Sequence, residues 1–147
     1  MKVMSEEMQI QDFEVWTTYT KQSHQNMWEF LHNQERFKQL TTPQIVLIQD
    51  YIILQELYDE ALLNDWIIDC HQHKQCVEQA VNICAVLDLF PTLEQNDLSK
   101  TDLKVLGEII RKFWAKSFLE RYGDRGIIVD LIEDEEHYFL SVYEVQI

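Results

Sequence analysis

The stretch Thr42–Leu63, TPQIVLIQDYIILQELYDEALL, decides how the chain is read. Thr42 can cap the first free N–H groups of a helix, and Pro43 suits the first helical position, where its missing N–H costs nothing. From there Ile45, Ile48, Ile52, Leu57 and Leu62 are joined by Val46, Leu47, Ile53 and Leu54, leaving a narrow polar strip through Gln49, Glu56 and Glu60. This reading predicts one long helix at the centre of the core. With its neighbours it predicts a mainly α (α+β) fold, a helical bundle of about four to five helices with a C-terminal β-hairpin.

Towards the N-terminus, Ser5 to Lys38 reads as one or two helices, with Phe13, Trp16, Met27, Phe30 and Phe37 at mixed three- and four-residue steps. Towards the C-terminus, Asn64 and Asp65 mark a stop and restart before Trp66, and a further helix is expected through the cysteines to Leu87 or Leu89, with Pro91 beyond it. Thr92 to Leu98 is a polar connection. Ser99 with Asp102 three residues on resembles a capping box and opens the apolar series Leu103, Leu106, Ile110, Phe113, Trp114 and Phe118. That helix should close near Tyr122, with Gly123 in the left-handed cap position. After Gly126, the β-branched run IIVDLI, the acidic turn Glu133-Asp134-Glu135-Glu136 and the run from Tyr138 to Val145 read as a hairpin. Residues 1–147 then form one domain: a helical part over 1–98, a capped helix over 99–123 and a hairpin over 126–147. A lone hairpin is marginal in water, so it must pack on helices or pair at its edge, including with a second copy in a homodimer.

A chain of 147 residues, 46% apolar and 12% aromatic, is long enough to bury roughly 70% of its unfolded surface and too rich in core residues for a disordered acidic tail. Three glycines, none clustered, provide no phosphate-cradling loop, which excludes Walker-type and dinucleotide sites. The opening MKVMSEEMQIQDFEVW lacks the parts of a secretory signal, and no run suits a membrane span. The expectation is a cytoplasmic protein with reduced Cys70, Cys76 and Cys84.

Charge is uneven: net −11 over residues 1–99, +3 over 100–125 and −6 over 126–147. Such a field repels nucleic acid and anionic membranes, and it speeds association with a basic protein partner. The basic helix is expected to pair internally with the acidic helices. The partner-binding candidates are Glu133, Asp134, Glu135 and Glu136 first, then Asp59, Glu60 and Asp65. Arg125 is the candidate anchor of the hairpin to a carboxylate.

The segment Cys70-His71-Gln72-His73-Lys74-Gln75-Cys76 offers the residue types zinc prefers. On one helix, however, Cys70 and Cys76 stand about 240° apart, so Cys70, His73 and Cys76 make a weak ligand set. No cofactor is expected, and no nucleophile elbow or other catalytic motif is present. The expected function is non-catalytic protein binding. The alternatives are a DNA-mimicking or regulatory adaptor, and a small metal-binding enzyme or sensor using His71, His73 and the nearby cysteines.

A small acidic chain with abundant aromatics and no catalytic motif resembles the immunity proteins of bacterial polymorphic or contact-dependent toxin systems. The tail FWAKSFLERYGDRGIIVDLIEDEEHYFLSVYEVQI is similar to C-terminal segments of small bacterial proteins. The resemblance implies an acidic surface that covers the basic cleft of a toxin.

Overall fold

The computed structural model describes residues 34–89 and 99–145. The helices expected over Ser5 to Lys38 lie outside it as far as residue 33, and the connection at Thr92 to Leu98 lies outside it entirely. In chain order the elements are α1 (Gln34–Thr41), β1 (Ile45–Ile48), β2 (Tyr51–Leu54), a 3-10 turn (Gln55–Leu57), α2 (Glu60–Asp69), α3 (Lys74–Val81), β3 (Ile83–Ala85), a second 3-10 turn (Val86–Leu89), α4 (Lys100–Tyr122), β4 (Ile127–Glu133) and β5 (Tyr138–Glu144). The strands form an antiparallel pair, β1-β2, and a three-stranded antiparallel sheet in the order β3-β5-β4.

The fold is therefore α+β, and the helical bundle expected from the sequence is overturned by two small sheets. The decisive stretch is a hairpin. Ile48 faces Tyr51 across Gln49 and Asp50, whose φ angles of 54° and 70° are both positive, as a two-residue type I′ turn requires. The absence of a polar face has a different cause from a central helix. Ile52 and Leu54 enter the main core around α4, with Leu106, Ile110, Phe113, Trp114, Phe118 and Leu140. Ile53, between them, enters a second core with Leu63, Cys70, Val77 and Val81, flanked by Val46, Ile48 and Tyr51. A strand buried on both faces loses the alternation that marks a half-buried one. Ile52 and Ile53 are each 1% exposed, and burying side chains of this size contributes about 1.5–3 kcal/mol apiece.

The expected helix from Trp66 to Leu87 or Leu89 is also corrected. Asn64 and Asp65 lie within α2, which starts earlier because the Asp59 carboxylate accepts the Leu62 N–H at 3.0 Å. It stops at Cys70, where His71 and Gln72 turn left-handed with φ of 51° and 64°. His73 then caps α3, its Nδ1 accepting the Cys76 N–H at 3.3 Å. Beyond α3 the chain becomes β3, the strand that pairs with β5 over Phe139–Ser141. The partner the hairpin needs on that side comes from within the chain.

α4 and the C-terminal strand pair form where local signals place them. Ser99 Oγ accepts the Asp102 N–H at 3.1 Å, and the Asp102 carboxylate accepts the Ser99 N–H at 3.0 Å. All six apolar residues of the series from Leu103 to Phe118 are buried. Gly107 lets β4 approach closely, since a methyl there would stand 2.7 Å from Leu131 Cδ1. At the other end Gly123 is right-handed, not left-handed as expected. The left-handed glycine is Gly126, at φ 69°, whose carbonyl accepts the Val145 N–H. α1 is tied to α4 by the Trp114 indole, which donates to the Leu40 carbonyl at 2.7 Å. Among the described residues no helix is long and apolar enough to cross a membrane.

Candidate partner-binding surface

α2 buries one narrow stripe, Leu63, Ile67 and Cys70, against the second core. At about 100° per residue this leaves Leu62 and Trp66 adjacent on the outer side, with Asp65 and Asp69 beside them. Leu62 is 45% and Trp66 36% exposed, and Ile68, on the far flank, is 71% exposed. Asp59 and Glu60 sit at the positive N-terminal end, where carboxylates are favoured. Asp65 and Asp69 are different. They are like charges four residues apart, and Asp69 lies in the last turn, with no basic residue there to offset the negative end of the helix. No ion pair of the described residues involves Asp59, Glu60, Asp65 or Asp69.

The second group of expected binding residues stands on a separate element, in the turn between β4 and β5. Asp134, Glu135 and Glu136 are exposed, and Asp134 accepts the Glu135 N–H. Glu133 is engaged: its carboxylate meets Lys100 Nζ at 2.7 Å, and that hydrogen bond, then the Lys100 charge, holds it below the usual carboxylate range. The same bond raises Lys100, which also lies 5.9 Å from the centre of the Tyr138 ring. The basic end of α4 thus offsets Glu133 of the hairpin turn, while no carboxylate of α2 is ion-paired among the described residues. Among the described residues the basic segment pairs mainly with the hairpin, and Arg125 anchors it to a carboxylate as expected. Lys100 and Arg125 reach Glu133 and Glu144 of the hairpin, and Arg111 pairs with Glu108 in its own helix.

Cys70 and Cys76 are joined by a disulfide, with their Cα atoms 5.7 Å apart, which replaces the expected reduced thiols. The two cysteines meet because the helix is interrupted between them; the 240° separation applied only to a continuous helix. A disulfide leaves no thiolate for a metal, and His73 Nδ1 is occupied as a cap. His71 and His73 are exposed. Cys84 remains a free thiol, pushed up to about 12 by burial and then by Asp88.

Sequence reading missed the polar groups that hold the two sheets together. Glu78 and Asn82 are both 0% exposed. Glu78 accepts the N–H of Ile52 at 2.8 Å and that of Glu144 at 2.9 Å, and Lys74 lies 3.4 Å away. The signal was available: two polar residues four apart, in α3 and at its C-cap, each directly following a buried valine, Val77 and Val81. Both oxygens of Glu78 are committed to backbone, so its role is to build the fold. The chain matches no protein-family model, no curated protein and no solved structure.

Proposed function

We propose that this chain is a non-catalytic, acidic protein-binding domain whose docking element is α2. The observation that carries the reading is the pairing of an exposed Leu62–Trp66 ridge with Asp65 and Asp69, like charges four residues apart that take part in no ion pair of the described residues. A basic partner would relieve that repulsion, while the apolar ridge supplies buried area and a tryptophan anchor. Asp59 and Glu60 extend the same surface. In its specific form, the proposal is an immunity protein covering the basic cleft of a toxin. Glu133, Asp134, Glu135 and Glu136 form a secondary contact. The cytoplasmic placement expected from the sequence rested on the lack of a secretory signal, whereas the Cys70–Cys76 disulfide favours an oxidising compartment.

The test is affinity capture from the native host at low salt, using the full chain and a W66A/D65K variant. Recovery of a basic protein by the parent, weakened at least ~30-fold in the variant, is the expected result. Recovery of no basic protein would sink the proposal. Displacement of the captured partner by duplex DNA would assign the DNA-mimicking adaptor in place of the immunity protein.

A further inference from the structure

A cavity of about 420 Å³ opens between the end of α1, the end of β2, β3 and α4, away from the α2 surface. Its volume falls in the range of small-molecule sites. Leu40, Leu54 and Trp114, exposed by 7%, 4% and 3%, line its apolar part. The charged residues lining it are Glu56 and Asp88, and no lysine or arginine joins them. Each carboxylate is carried by its own 3-10 turn, and neither takes part in an ion pair of the described residues. Cys84, also in the lining, reports the local field: burial, Asp88 and Glu56 all disfavour its thiolate, and only a hydrogen bond from the Leu140 backbone favours it. An anionic ligand here would face two carboxylates and no lysine or arginine of the lining.

We propose that this cavity binds a small organic cation with an apolar body, an arylalkyl- or alkylammonium. The body lies against Leu40, Leu54 and Trp114, and the ammonium faces Glu56 and Asp88. Apolar burial supplies the affinity, and the two carboxylates at the exposed rim supply the selection for positive charge. No covalent step is involved, because the Cys84 thiol stays protonated at neutral pH.

The test compares three ligands of one shape on the full chain by NMR titration: 2-phenylethylammonium, 2-phenylethanol and phenylacetate. The cation should bind at least about tenfold more tightly than the alcohol, and phenylacetate should not bind. Glu56→Gln with Asp88→Asn, isosteric changes at exposed positions, should abolish the preference for the cation while leaving the alcohol's affinity unchanged. The α2 variant Asp59→Asn, Asp65→Asn, Asp69→Asn should leave the preference intact. Equal binding of cation and alcohol, failure of all three to bind, or loss of the preference in the α2 variant would overturn the proposal.

Discussion

Glu78 on the buried face of α3 and Asn82 at its C-cap, four residues apart, together hold the edges of two different sheets. Glu78 accepts the N–H groups of Ile52 in β2 and Glu144 in β5. Asn82 accepts the Leu54 N–H at 2.8 Å and donates to the carbonyls of Ile52 at 2.8 Å and Val142 at 3.0 Å. The two side chains therefore satisfy backbone groups that β2 does not share with β1 and that β5 extends past β3. Without them these groups would be buried and unpaired.

Asn82→Ala removes three hydrogen bonds and leaves three backbone groups unsatisfied, so it should cost about 2–4 kcal/mol. Urea unfolding of parent and variant measures this directly, and a loss below about 1 kcal/mol would show that water or a local shift replaces the amide.

The pH dependence should follow Glu144 and Lys74. Burial alone would raise the Glu144 carboxyl, but hydrogen bonds from Arg125 and Lys74 outweigh it and hold the group below its ordinary 4.5. A carboxyl depressed by folding stabilises the fold above its unfolded pKa, and that contribution disappears as pH falls through the folded one. Lys74 has the opposite sign. Burial lowers it, but hydrogen bonding to Glu144 and the charges of Glu78 and Glu144 lift it above 10.5. Its contribution is complete below 10.5 and disappears as pH rises through the folded pKa. The stability gap between the parent and Glu144→Gln should be level at neutral pH and narrow below 4.5 and in strong alkali. A gap that is unchanged in strong acid would show that Glu144 acts by packing alone.

Gly126→Ala should destabilise the chain by about 1–2 kcal/mol, because a Cβ at φ 69° crowds its own carbonyl even though the Val145 carbonyl oxygen, 3.5 Å away, would be an ordinary contact. Thermal melts of the two proteins decide it. An unchanged melting temperature would mean the turn can reach a right-handed conformation without disturbing β4.

The disulfide closes a short loop, and removing it should cost about 2 kcal/mol. Thiol titration provides an independent check. Protein unfolded without reductant should show one free thiol, Cys84, and reduced protein should show all three. Three thiols in unreduced protein would contradict the pairing.

What could be read from the sequence followed how local the signals were. The Ser99–Asp102 capping box and the spacing from Leu103 to Phe118 placed α4, since its caps and its one buried stripe are written in consecutive residues. The β-branched run after Gly126, the acidic turn and the run from Tyr138 placed β4 and β5 for the same reason. The candidate surface was legible as acidic residues. Which of them are ion-paired was not, because Lys100, far away in sequence, meets Glu133 while Asp65 and Asp69 take part in no ion pair of the described residues.

The sequence by itself determined a strongly acidic composition, the capped helix α4 and the C-terminal strand pair, because caps, turns and periodicity act over a few residues. Only the tertiary structure decided that Ile45–Leu54 is a hairpin, since its apolar run has meaning only once α4 covers one face and α2 with α3 the other. It also decided the helix break between Cys70 and Cys76. There His71 and Gln72, neither of them glycine, are held left-handed by the disulfide and by the packing of α2 and α3 on one core.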